Sequence, residues 1–246
     1  DNVVYAEVRF APLLHLNKGL LPMEVVEIIS KKTKEKSNAT GIEVNLILCT
    51  LRHYSEKQSL ETINLIKDFE GENVVGFDIA ADESGFPLDN HTKAFELANE
   101  SNIYCTAHAG EALGAHSVSE TLEKLKPSRI GHGVRSIEDK FLLKKLKANN
   151  IHLELCLTSN IVTKVYKSFK DHPVDFLYKN DFSISINTDG RTISDTNLNN
   201  EYGILGTHFN WIKSHFLKVN INSMEASFAN LKIKTKIISL LKSSYN

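Results

Sequence analysis

Seven short apolar runs, rich in β-branched residues and spaced by about one β-α unit each, constrain the fold of this chain more than any other feature. They are "VVYAEVRF" (3–10), "IEVNLILC" (42–49), "VVGFDIA" (74–80), "IYCTAHA" (103–109), "RIGHG" (129–133), "IHLELCL" (151–157) and "FSISIN" (182–187). Several are apolar throughout, as strands are when a parallel sheet buries both their faces. Lys/Glu-rich stretches of helical period separate them, among them "PMEVVEIISKKTKEKS", "SLETINLIKDFEG", "DNHTKAFELANESN", "AHSVSETLEKLKP" and "SIEDKFLLKKLKANN". Pro22 sits where the first turn of a helix accepts it. Ser136 with Glu138 and Asp139 makes an acidic helix start. The alternation predicts an α/β fold with a parallel sheet. The last stretch, 197–246, reads as helices only and is expected to pack across one end. No linker, low-complexity tract or Pro/Gly-rich boundary interrupts the chain, so a single domain over 1–246 is expected.

Composition excludes several function classes. A net charge of −1 gives no electrostatic case for nucleic acid or an anionic membrane as partner. No segment is long and apolar enough to span a bilayer. Cys49, Cys105 and Cys156 lie far apart with no C-x-x-C, which favours reduced thiols and a cytoplasmic setting over a disulfide scaffold. The first residues, "DNVVYAEVRF", do not read as a signal peptide but as a strand cut close to its start.

The unusual polar residues gather at the carboxyl ends of the predicted strands. Glu7 and Arg9 lie in the first run, and Asp82 and Glu83 follow the third. His108 and Glu111 end the fourth, and His132 ends the fifth. Thr158, Ser159 and Asn160 follow the sixth, and Asp189 follows the seventh. In a (β/α) barrel that rim is the active face. His108 alone reads first as a strand-end histidine bonded to a carbonyl, and only after that as a metal ligand. Glu111 reads as a first-turn acid beside a helix dipole, or as a carboxylate that reaches a metal-bound water or a substrate nitrogen without binding the metal. Gly110 between them lets the backbone pass close to a flat ligand. His132, held between two glycines, suits a general base or an oxyanion stabiliser. Asp189 is a helix N-cap or a carboxylate ligand for a divalent metal. The cysteine pair of the H-x-E/P-C-x-x-C nucleotide deaminases is absent.

"HAGE", "RIGHG", "LELCLTSN" and "SINTDG", in this order and spacing, resemble the adenosine deaminase family of metal-dependent amidohydrolases. "VVYAEVRFAP", "VVGFDIAADE" and "NINSMEASF" fit as well, so the resemblance covers nearly the whole chain. It implies a TIM-type (β/α)8 barrel whose first βα unit is missing here, a metallo-dependent hydrolase domain incomplete at its amino terminus. It implies zinc, with His108 and Asp189 as two ligands and two more from an H-x-H motif expected upstream of Asp1. It implies Glu111 as proton donor to purine N1, and His132 as the residue that orients and deprotonates the attacking water. The implied reaction turns adenosine and deoxyadenosine into inosine-type products and ammonia in purine salvage, with a small purine nucleoside as partner. Ala81 stands where the family has a glycine whose N–H meets purine N3. Gly190 stands where the family has an aspartate that contacts N7, and Arg191 is the nearest side chain able to take over. Two alternatives remain: deamination of another 6-aminopurine compound (adenine, AMP or a modified nucleoside), and a catalytically silent binding homologue.

Overall fold

The computed structural model describes residues 1–69 and 71–245. Among the described residues the strands are β1 (Tyr5–Phe10), β2 (Glu43–Leu51), β3 (Val74–Ala80), β4 (Tyr104–Ala109), β5 (Arg129–His132), β6 (His152–Leu155) and β7 (Ile184–Ile186). The helices are α1 (Pro22–Thr40), α2 (Glu56–Asp68), α3 (Thr92–Glu100), α4 (Ala115–Lys124), α5 (Lys140–Ala148), α6 (Leu157–Val162), α7 (Val174–Lys179), α8 (Arg191–Ser194), α9 (Leu198–Phe209), α10 (Lys213–Ala226) and α11 (Leu231–Tyr245). The chain divides into two compact units, one of residues 2–108 and 120–127, the other of residue 1, 109–119 and 128–246.

In the first unit β1, β2, β3 and β4 pair in parallel and in sequence order, with Tyr5 opposite Glu43, Ile47 opposite Gly76, and Gly76 opposite Tyr104. Sequential order belongs to barrel-type sheets, whereas doubly wound sheets reverse it at a switch point. Leu46, Leu48, Phe77 and Ile79 meet Ile63 and Ile66 of α2 and Phe95 of α3 in one buried cluster. Ser55 and Gln58 form a capping box that starts α2. In the second unit β5, β6 and β7 are again parallel and in order, Arg129 opposite His152 and Leu153 opposite Ile184. The all-helical carboxyl end is confirmed, and α10 packs against β7.

Two boundaries differ from the sequence expectation. The sixth strand stops at Leu155, and Leu157 already begins α6, so Thr158, Ser159 and Asn160 lie in a helix. The fully buried Glu201 carboxylate accepts the Thr158 N–H at 3.2 Å and the Thr196 hydroxyl at 2.8 Å. A carboxylate beside exposed helix N–H groups favours starting α6 there. The second difference is at α5, where Asp139, not Ser136, is the cap; its side chain accepts from the N–H groups of Phe141 and Leu142. Residues 134–138 instead form a 3-10 turn that opens at the left-handed Gly133.

His152 carries a measurable consequence of burial. Its two ring nitrogens meet the Ser183 and Ser185 hydroxyls at 2.8 and 2.9 Å. Burial disfavours the imidazolium and lowers its pKa to about 3. The folded value lies below the unfolded one, so the unfolded chain binds a proton first as pH falls. The contribution of a neutral His152 is whole above about pH 6.5 and falls towards pH 3 by ~1.4 kcal/mol per pH unit. Chemical denaturation between pH 7 and 4 should therefore show a steeper loss of stability in the wild type than in His152→Gln. Equal slopes would contradict the assignment.

Candidate active site

The strand ends share a backbone feature. Ala81 after β3, His132 at the end of β5 and Asp189 after β7 all lie in the left-handed region, at φ 77°, 60° and 55°, as does Gly110 after β4 at 71°. Non-glycine residues there are uncommon and mark turns that the surrounding structure holds in place. Histidine and aspartate tolerate the region better than most; alanine gains nothing from it.

Gly110 and Gly133 explain how two of these turns fit together. A Cβ on Gly110 would sit 2.4 Å from Val118 Cγ2 and 3.3 Å from the Gly133 Cα. A Cβ on Gly133, at φ 65°, would sit 2.8 Å from Leu153 Cδ2. Two backbone bonds join the turns, Gly133 N–H to the Ala109 carbonyl at 2.9 Å and Arg135 N–H to the Gly110 carbonyl at 3.1 Å. The sequence reading of Gly110 as room for a ligand is therefore incomplete, because its missing Cβ is already used by packing within the protein.

This contact brings the neighbours of the two glycines together. Glu111 Oε2 lies 3.5 Å from His132 Nε2, and Glu111 Oε1 accepts the Thr163 hydroxyl at 3.0 Å. His132 is buried, and its Nδ1 faces the Asn160 amide nitrogen at 3.2 Å. Asp189 accepts the Ser159 hydroxyl at 2.8 Å. Helix α6 thus supplies Ser159 and Asn160, and Thr163 directly after it, to three of the residues singled out from the sequence. Gly190 has an ordinary backbone, φ −69°, and a Cβ there would make only ordinary contact with Ile193 at 3.7 Å. Nothing steric requires glycine at this position. Arg191 pairs with the Asp1 carboxylate at 3.0 Å.

His108, at the end of β4, is organised by β3. Its Nδ1 lies 3.2 Å from the fully buried Asp78 carboxylate and 3.1 Å from the Ile79 carbonyl. Two acceptors at Nδ1 place the proton there and the lone pair on Nε2, the arrangement in which carboxylates orient ligating histidines. Asp78 also holds Arg9 at 3.1 Å. The buried Arg52 donates to the His108 carbonyl at 3.0 Å and to the Phe86 carbonyl at 3.3 Å. Asp78 is not among the residues that stand out in the sequence, although a lone carboxylate inside "VVGFDIA" is a visible signal. Asn160 stands out only as a strand-end residue, and His172, which bonds it, gives no signal. His108 and Asp189 have the chemistry of metal ligands. Zinc takes three or four protein donors, and among the described residues no group of three or more His, Cys, Asp or Glu side chains is arranged to hold a metal ion. The donors among the described residues do not by themselves make a zinc site.

Ala81 gives a direct test of the strand-end strain. Ala81→Gly should raise stability by about 0.5–1 kcal/mol, because relief of ~1–2 kcal/mol of left-handed strain exceeds the ~0.4–1 kcal/mol that glycine adds to unfolded-chain entropy. A lower denaturation midpoint in Ala81→Gly would show that Ala81 is not strained.

A sequence model of the adenosine deaminase family matches residues 1–244. An adenosine deaminase of Clostridium perfringens (strain 13 / Type A) is 37% identical over 237 residues, 96% of this chain and 71% of that protein. One from Danio rerio is 34% identical over 262 residues, covering 100% of this chain and 72% of its own length. The crystal structure of an Arabidopsis N6-mAMP deaminase superposes with a TM-score of 0.91 at 27% identity, covering 98% of this chain and 73% of that one. The chain belongs to the adenosine deaminase family, as a hydrolytic deaminase of TIM-type (β/α)-barrel fold.

Proposed function

We propose that this protein hydrolyses the 6-amino group of adenosine and deoxyadenosine, releasing ammonia and the inosine-type nucleoside in purine salvage. The observation that carries the reading is the Glu111–His132 pair at 3.5 Å, with each member held by a second partner, Thr163 and Asn160. A silent homologue has no use for an acid and a histidine positioned in this way. The family is in general metal-dependent. His108 and Asp189 are the donors this chain would contribute to zinc, and a complete site needs further ligands, expected from an H-x-H motif.

The chemistry assigned to the chain's own residues starts with Glu111 as the carboxylic acid. It gives its proton to purine N1 while a water oxygen bonds to C6, and the carboxylate takes back a proton from that water. C6 then carries both hydroxyl and amino groups. The hydroxyl proton passes to the nitrogen, ammonia leaves, and the 6-oxo purine remains with N1 protonated. His132 faces the oxygen throughout. Ala81 keeps the backbone N–H offered to N3, and Gly190 leaves N7 to solvent. A second reading, deamination of another 6-aminopurine compound such as adenine, AMP or an N6-modified nucleotide, draws on Gly190, which alters the pocket at N7, and on the likeness to the N6-mAMP deaminase.

Steady-state kinetics of the protein with its metal site complete separate the readings. Adenosine should give the highest kcat/KM among adenosine, adenine, AMP and N6-methyl-AMP; a clear preference for one of the others would favour the second reading. Glu111→Gln should lower kcat by about 10²–10⁴-fold, the usual worth of a positioned acid, and near-normal turnover would remove Glu111 from that role. At N7, adenosine and 7-deazaadenosine should react with similar kcat/KM. Gly190→Asp should then introduce a several-fold preference for adenosine, since one hydrogen bond contributes about 1 kcal/mol. A strong preference already present in the wild type would mean that another group reads N7.

A further inference from the structure

His132 ends a chain of hydrogen bonds whose direction is dictated by the backbone. The Val174 N–H donates to His172 Nδ1 at 3.2 Å. A backbone N–H is only ever a donor, so His172 Nδ1 bears a lone pair and the His172 proton is on Nε2. His172 Nε2 lies 3.2 Å from Asn160 Oδ1, which accepts that proton. The Asn160 amide nitrogen is then the group facing His132 Nδ1 at 3.2 Å, and it can only donate. His132 Nδ1 must be the acceptor, and the His132 proton lies on Nε2, the nitrogen 3.5 Å from Glu111.

We propose that Asn160 and His172 are positioning residues that hold His132 in its Nε2–H tautomer, so that His132 meets the reacting oxygen as a hydrogen-bond donor. The proposal rests on the reading in which His132 faces the oxygen that attacks C6. It departs from the role that the family resemblance implies, in which His132 removes a proton from water. A bare Nε2 would need Nδ1–H to face Asn160, and the amide would have to turn its oxygen to His132. Its NH2 would then confront His172 Nε2–H, two donors in a buried site. Shifting the His172 proton to Nδ1 would set it against the Val174 N–H. Protonating His172 on both nitrogens meets the same clash, and burial lowers its pKa to about 3. Asn160 and His172 are both buried, and the Tyr166 ring packs edge-on against His172 at 5.4 Å, so solvent does not stand in for either partner. A buried group left facing a like group loses a hydrogen bond and bears its desolvation as well.

The chemical consequence is a division of labour. The water proton returns to Glu111, as in the steps above. The His132 Nε2–H donates to the oxygen as it changes from water to the C6 hydroxyl and then to the 6-oxo group. A fixed donor aimed where negative charge develops lowers the barrier without reorganising during the reaction.

Nitrogen-15 NMR of the histidine-labelled chain tests this without substrate, the His132 signals being identified by their loss in His132→Gln. The expected spectrum has a proton-bearing, pyrrole-type Nε2 and a pyridine-type Nδ1. Asn160→Asp offers a carboxylate to both histidines and should move the His132 proton onto Nδ1. With adenosine, that variant should lose about 10²–10⁴-fold in kcat, in line with the ~10⁴-fold loss seen when a catalytic histidine is held in the wrong tautomer, while KM changes by less than about threefold. A wild-type His132 protonated on Nδ1 overturns the proposal, and that spectrum decides it whether or not Asn160→Asp folds. An Asn160→Asp chain that folds with unchanged tautomer and unchanged kcat overturns it too. A wild-type protein whose metal site is complete, with the expected spectrum but no adenosine turnover, would instead defeat the proposed function and leave the tautomer assignment standing.

Discussion

The close approach of Gly110 and Gly133 is the contact on which the candidate site depends. Each glycine takes a left-handed turn at a strand end, and each surrenders its Cβ position to a neighbour, Val118 in one case and Leu153 in the other. Because the two backbones nearly touch, the residues beside them, Glu111 and His132, are placed 3.5 Å apart by the main chain itself. Helix α6, started by the Thr158 N–H on the Glu201 carboxylate, then presents Asn160 to the histidine and brings Thr163 against the glutamate. Main-chain placement suits acid-base chemistry, which tolerates little misalignment.

The two histidines singled out from the sequence are set to opposite tautomers by what stands behind them. Behind His108 are acceptors, the Asp78 carboxylate and the Ile79 carbonyl, which draw the proton to Nδ1 and leave Nε2 with its lone pair. Behind His132 is a donor, the Asn160 amide, which leaves the proton on Nε2. One imidazole is thereby prepared to give an electron pair and the other to give a hydrogen bond. A buried carboxylate and a buried carboxamide, similar in size, account for the difference.

Much of this architecture is legible in the sequence, and the reasons for what is not are physical. Apolar periodicity locates the strands because burial on both faces of a parallel sheet leaves a continuous signal; "VVGFDIA" is recovered to the residue as β3. The candidate residues His108, Glu111, His132 and Asp189 are visible because each lies at or just after a strand end, where parallel sheets of this kind carry functional groups. Their partners are not, since Asp78 lies 30 residues before His108, and Asn160 lies 28 residues after His132. Only the tertiary fold brings such pairs together. The early end of β6 escapes for the same reason, because the carboxylate that starts α6 is Glu201, 43 residues from Thr158. Gly190 stands out in the sequence only against the family pattern that it resembles, and only the backbone geometry shows that glycine there is not a steric requirement.

A crystal structure of the chain with inosine bound tests the central claim most directly, that Glu111 and His132 form one unit acting on the N1–C6 edge of a purine. In inosine N1 carries a proton and the 6-oxygen accepts hydrogen bonds. The account predicts the Glu111 carboxylate within about 3 Å of N1 and His132 Nε2 at a similar distance from the 6-oxygen, both ordinary hydrogen-bond lengths. A purine bound with its N1–C6 edge turned away from Glu111, or a 6-oxygen that His132 does not reach, would contradict it.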